Sequence, residues 1–243
     1  MLIKFYPGDN EIGGFAPAPV PASTEMPEWF RKLSPYQSDY KEVVKGDDNV
    51  PNPHSGHFLN TTAKKCMSMI DTFTTGYYFL CPADIYFDTT DENQIQMKWR
   101  HPQYSFVLNH TPSQVGDYPL GDDFCKEHLR WLPYWMAVTP PGYSTLFTHP
   151  FHRLDLPFFT MPGIIDTDGM PSAGALPFNI KKGFKGIIKR GTPIAQAIPF
   201  KRESWEHEVV DHRPQDVIDR LNLVNSTFSG AYKDHMWERK SFK

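Results

Sequence analysis

The sequence predicts a mainly β protein. Three observations carry that expectation. From Thr139 to Phe200, apolar runs of four to six residues alternate with Pro and Gly, the pattern of short strands joined by tight turns. The 23 Pro, 18 Phe and 11 Tyr favour extended, aromatic-rich segments over helices. Outside this stretch, Gln94 to Arg100 sets Ile95, Met97 and Trp99 against Gln94, Gln96 and Lys98, the period of a half-buried strand.

In order, Leu2 to Tyr6 reads as a short strand stopped by Pro7-Gly8. Gly13 to Pro21 (GGFAPAPVP) cannot be helical, because its prolines lack donors and force extended geometry; it is expected as an ordered arm laid over the surface or as an exposed extended segment. Glu28 to Leu33 gives one or two helical turns with Pro27 suited to the first position, and Trp29 and Phe30 as core anchors. Residues 37–58 are polar and turn-rich. Their His54 and His57 have metal-ligand spacing but sit in a loop with no third ligand beside them.

Thr62 to Phe73 places Cys66, Met69, Ile70 and Phe73 at helical spacing. Gly76 to Asp88 reads as a strand pair with Pro82 at a bulge or edge, and with Gln94–Arg100 and Tyr104–Leu108 it predicts an antiparallel meander over 76–108. A long polar connection, Asn109 to Lys126, leads to Trp131–Val138. Within the central stretch, Pro140-Pro141-Gly142 is a turn, and Tyr143–Thr148, Gly163–Asp166, Leu176–Ile180, Gly186–Lys189 and Ile194–Phe200 are strands. Ser204 to Val210 is read as a last strand. Pro214 to Leu223 is an amphipathic helix with Val217, Ile218, Leu221 and Val224 on one face, and the tail YKDHMWERKSFK as solvated. The organisation expected is one β-rich domain: arm and loops over 1–60, helix and meander over 61–133, a core over 134–210, and a helix with tail over 211–243.

Composition narrows the function classes. A net charge of −3 gives no reason to expect nucleic-acid binding. The three cysteines, Cys66, Cys81 and Cys125, are widely spaced, so neither a disulfide framework nor a zinc knuckle is indicated. No apolar run approaches the roughly 20 residues of a membrane span, and the N-terminus has no signal-peptide core. No nucleophile elbow, Walker or dinucleotide fingerprint occurs.

The order PPGY, GIIDTD, ALPFNI, IIKRGTPIAQAI resembles the core of the trimeric dUTPase and dCTP deaminase superfamily, over about a quarter of the chain. That resemblance implies a β-clip barrel formed largely by residues 134–210, extended by an N-terminal β meander and a few short helices, and a homo-oligomer that is a trimer if the likeness holds. It also implies a water-activating carboxylate at Asp166 and a nucleotide contact at Gln196. The chain departs from the family where function resides. Thr167-Asp168-Gly169-Met170 has no sugar-packing Tyr, Thr148-His149-Pro150-Phe151-His152 replaces the phosphate-binding Pro-Arg-Ser, and Asn225–Tyr232 only faintly echoes the Gly-rich lid. Separately, PEWFRKLSP, KKCMSMIDTFTTGYYF and GTPIAQAIPFKRE resemble a family of proteins from tailed phages of marine bacteria to which no activity is attached, which implies a viral protein in the cytoplasm of an infected bacterial host.

The densest polar cluster is His149, His152, Arg153 and Asp155, followed by Asp166 and Asp168. Two histidines and a carboxylate can hold divalent iron, the cupin or metal-oxygenase reading, but the spacing and flanking prolines describe a hydrogen-bonded loop, so no metal is expected. Asp166 and Asp168 are either turn formers or water-activating and ligand-binding groups. Gln196 is either a buried strand residue or a ligand contact. Three classes stand: a non-catalytic binding or assembly module, a nucleotide-binding or hydrolysing protein, and a metal-dependent oxygenase. The cofactor, the ligand and any protein partner are not specified by the sequence.

Overall fold

The computed structural model describes residues 1–8, 14–36, 62–91, 94–110, 114, 116, 118–119, 121–171, 175–226 and 231–243. The residue 37–58 loop with His54 and His57, and part of the lid-like echo over 225–232, lie outside them. Two compact units divide the chain. Unit 1 holds Met1–Glu25, Thr75–Glu203 and Phe242–Lys243; unit 2 holds Met26–Thr74 and Ser204–Ser241.

Unit 1 carries all fourteen strands found among the described residues. These are β1 (Lys4–Pro7), β2 (Val20–Pro21), β3 (Tyr77–Leu80), β4 (Ile85–Asp88), β5 (Gln96–Trp99), β6 (Val107–Asn109), β7 (Leu129–Trp131), β8 (Trp135–Val138), β9 (Tyr143–Thr148), β10 (Phe158–Thr160), β11 (Gly163–Ile165), β12 (Leu176–Ile180), β13 (Lys185–Ile188) and β14 (Pro193–Lys201). They form four antiparallel sheets, ordered β1-β8, β10-β12-β7-β6, β11-β9-β14-β3-β2 and β13-β4-β5. No sheet among the described residues closes into a barrel.

The mainly β expectation holds, and the five strands read in the 139–200 stretch form close to where the Pro and Gly punctuation puts them; a sixth, β10, was not read. Gly142 at φ +84° closes the Pro140–Tyr143 turn, with Tyr143 N–H donating to Pro140 O at 3.3 Å; only glycine takes that conformation without penalty.

The meander over 76–108 does not form. Of the four strands in that stretch only β4 and β5 pair with each other, whereas β3 lies between β14 and β2, and β6 pairs with β7 beyond the stretch. The physical reason is burial. All four residues of β3 are buried, so it needs a ladder on both edges and cover on both faces, which a hairpin partner alone does not supply. The long β14 provides one edge.

The core of unit 1 is aromatic. Trp131 stacks on Phe178 with ring centroids 3.8 Å apart and planes 9° from parallel, and Phe158 and Phe87 meet them edge-on. The proline-rich arm is ordered: Phe15 stacks on Phe106, and Ala16 O accepts from Trp135 Nε1. The last two residues belong to this unit as well. Phe242 packs edge-on against Tyr77, and Tyr77 Oη donates to Lys243 O.

Unit 2 is helical, with α1 (Glu28–Lys32), α2 (Met67–Thr74), α3 (Gln215–Ser226) and α4 (Ala231–His235). Phe30 and Phe73 are buried against each other at 4.4 Å, whereas Trp29 stays 43% exposed and is no core anchor. Lys64 Nζ donates to Phe30 O and Arg31 O, satisfying carbonyls at the end of α1. The tail is mostly exposed, as expected of a solvated segment, and is anchored as well: Trp237 Nε1 and Lys240 Nζ both reach the Asp71 carboxylate. Among the described residues, no helix is long and apolar enough to cross a membrane.

The expected strand over 204–210 has no ladder. These residues are all exposed and pair with no strand among the described residues.

Candidate functional site

Asp166 and Asp168 come together where three strands meet. β9 pairs with β11 on one side and β14 on the other, so the turn before β9, the chain leaving β11 and the chain leaving β14 converge. Arg202, the first residue past β14, donates its backbone N–H to Gly142 O at 2.8 Å. Its guanidinium forks onto Asp168, Nη1 to Oδ1 at 2.8 Å and Nη2 to Oδ2 at 2.5 Å. The same Nη1 lies 3.3 Å from Asp166 Oδ1 and 3.2 Å from Ser144 Oγ. Ser144 Oγ–H donates to Asp166 Oδ1 at 2.6 Å, and Gly142 N–H donates to Asp168 Oδ2 at 2.8 Å.

The fork and the Gly142 N–H hold the Asp168 carboxyl down at about 2, the Arg202 hydrogen bond being the main cause. Asp168 is 12% exposed at its side chain and Asp166 66%. Two carboxylates thus face one guanidinium, which leaves the cluster net negative.

Beneath lies a chain of buried threonines. Thr139 Oγ1 sits 3.1 Å from Tyr143 O and 2.7 Å from Thr167 Oγ1, which is 2.8 Å from Thr145 Oγ1. A carbonyl only accepts, so Thr139 donates to Tyr143 O, Thr167 to Thr139 and Thr145 to Thr167. This chain fixes the floor under the Asp166–Asp168 turn.

Gln196 and His149 stand at a second place in the same sheet. Gln196 lies across from Tyr78 and Thr148 and is fully buried. Its Nε2 donates to Thr75 O at 2.6 Å and its Oε1 accepts from Phe151 N–H at 3.0 Å, so each end of the amide holds a backbone group. His149, 6% exposed, accepts from Thr160 N–H at Nδ1 (3.3 Å), which assigns the ring proton to Nε2 and directs it to Arg153 O (3.0 Å). Burial holds its pKa below the ordinary histidine value. Arg153 clasps Asp155 through Nε and Nη2 at 2.9 and 3.0 Å. His152 is exposed, with φ +58°.

The structure therefore splits the sequence-predicted residues into two groups, Asp166 with Asp168 and His149 with Gln196. Among the described residues, no group of three His, Cys, Asp or Glu side chains is placed to hold a metal ion.

Sequence reasoning missed Ser144 and Arg202. Strand register was the available signal: extending the β9–β11 pairing by one residue sets Ser144 opposite Asp166, and extending β9–β14 sets Arg202 beside Gly142. It also missed a buried cross-strand pair in another sheet, Asn179 Nδ2 to His128 Nδ1 at 3.0 Å. No protein-family model matches the chain, and no curated protein matches it.

Proposed function

We propose that this chain is a non-catalytic binding or assembly module of a tailed phage, with residues 134–210 as a β-clip-like core of the kind the resemblance to the dUTPase and dCTP deaminase superfamily implies. One observation carries the reading: the donors around Asp166 are spent on the protein's own carboxylates. Arg202 and Ser144 both serve Asp166 Oδ1, and Arg202 and Gly142 N–H serve Asp168. Hydrolysis of a nucleoside triphosphate needs an activated water together with donors or cations aimed at the phosphates. Here the one guanidinium at the cluster faces two anions, and a triphosphate would have to displace Asp168 from it. Losing a single such donor typically costs about 10²–10³ in rate.

The runner-up is a nucleotide-binding or hydrolysing protein. Its support is that Asp166 keeps a 66% exposed side chain, open to water. A pyrophosphate-release assay over the deoxynucleoside triphosphates with magnesium separates the two. The module reading expects no turnover above background. Turnover that disappears in Asp166→Asn overturns it in favour of the hydrolase.

A further inference from the structure

We infer that residues 204–210 are a donor strand that adds to the open edge of β13 in a second copy of this chain. The segment reads SWEHEVV, and its alternation is that of a strand: Trp205, His207 and Val209 on one side, Glu206, Glu208 and Val210 on the other. Its chemistry is unsatisfied. Trp205 is 87% exposed, Val209 91% and Val210 55%, and its backbone joins no ladder among the described residues. A solvated linker has no use for a tryptophan and two valines within six residues, and an extended backbone with free N–H and C=O groups is a template for pairing. Its root is fixed, because Arg202 is held by Gly142 O, Ser144 and Asp168.

Charge selects the acceptor. From Glu203 to Asp211 the segment has four carboxylates and no Lys or Arg. Pairing of two such segments with each other would set like charges opposite, which is destabilising. β13 is the complement. Among the described residues it is an outermost strand, hydrogen-bonded only to β4, and residues 181–190 (KKGFKGIIKR) carry five cations and no carboxylate. Lys185 and Lys189 already pair with Asp88 and Asp84, and Arg190 donates to Phe15 O, which leaves the stretch positive after its own ion pairs are counted.

On the face of β13 that carries Lys185, Ile187 is 49% exposed and leaves room for an opposing side chain. An antiparallel register with Glu208 opposite Lys185 sets Glu206 opposite Ile187 and Trp205 opposite buried Ile188. This is β-augmentation, with main-chain bonds for affinity and the acidic row against the basic edge for register. Strand and acceptor are different surfaces, so the contact is head-to-tail and propagates until a ring closes.

The inference rests on the module reading and names its partner, yet it is read by association rather than turnover, so the two fail separately. Sedimentation of the full chain over a hundredfold concentration range, at about 0.05 and about 0.5 M salt, should show an oligomer that weakens at least tenfold as screening rises. Glu206→Lys with Glu208→Lys, or Trp205→Ala, should weaken it similarly. These side chains are exposed, so the variants keep the fold. Mixing the double-lysine chain with an Ile187→Glu chain should restore association.

In a Cys66→Ser background, which removes the exposed thiol, a chain with Glu206→Cys and one with Ile187→Cys should form a disulfide-linked dimer on oxidation. A monomer at every concentration overturns the inference. So does an oligomer indifferent to the arm variants, or a cross-link formed within a chain carrying both cysteines.

Discussion

His149 shows what a single residue can reveal that its neighbours in sequence cannot. Its type and spacing suggest a ligand, whereas its environment consumes both ring nitrogens on backbone groups. Protonation at Nδ1 would break the bond from Thr160 N–H and place a charge in a buried site. The folded pKa is therefore lowered, and the unfolded chain takes up the proton first. The sign follows: the stability from neutral His149 is fully present above about pH 6.5 and is lost as pH falls below it. His128, also pushed down by burial, contributes with the same sign.

Urea midpoints should thus fall between pH 7 and 5.5, each histidine adding a slope of up to about 1.4 kcal/mol per pH unit. His149→Ala should flatten that slope while costing about 2–4 kcal/mol in unpaired backbone groups and lost packing. A midpoint constant over this range would refute the assignment. Asp166 and Asp168 were legible as a pair because turn chemistry is local. Arg202 was not, because it reaches them only through pairing between strands more than forty residues apart in the chain.

At the scale of elements, most strands were legible where apolar residues alternate or Pro and Gly bracket a run, the three-residue β10 being the exception, and their partners were not. The central strands fell where they were read, but β3 found β14 rather than the adjacent β4. Periodicity also gave 204–210 the form of a strand, which the chain leaves without a ladder of its own. One glycine decides whether β3 and β14 can meet at all. Gly76 precedes β3 with φ +76°, and a Cβ there would lie 2.1 Å from Ala197 O, inside any allowed contact with a backbone atom that cannot rotate away. Gly76→Ala should cost at least about 3 kcal/mol, from the positive φ and the forced separation of the strands. Thermal melts read it, and a shift of only a degree or two would show that the two strands do not need this approach.

The molecule as a whole is a β unit and a helical unit threaded through one another in sequence. Unit 2 consists of two excursions from unit 1, and neither includes a chain end. Both excursions are closed beside one residue. Before the first, Pro21 stands opposite Tyr77 in register and Ala22 N–H donates to Gly76 O; after the second, Phe242 and Lys243 return to Tyr77.

In polymer terms, Tyr77 shuts two loops, and closing a loop costs entropy that grows only with the logarithm of its length. The long excursions are therefore inexpensive once that joint is made, and the second is held at Tyr77 by Phe242 and Lys243 and to Asp71 by Trp237 and Lys240. Phe242→Ala should leave the melting of unit 1 within about 1–2 kcal/mol of the parent while making the stretch from 204 to 241 far more sensitive to protease. Unchanged cleavage would show that the second loop is held elsewhere. Phe242 and Lys243 thus act as a latch on Tyr77 that keeps the second excursion a closed loop.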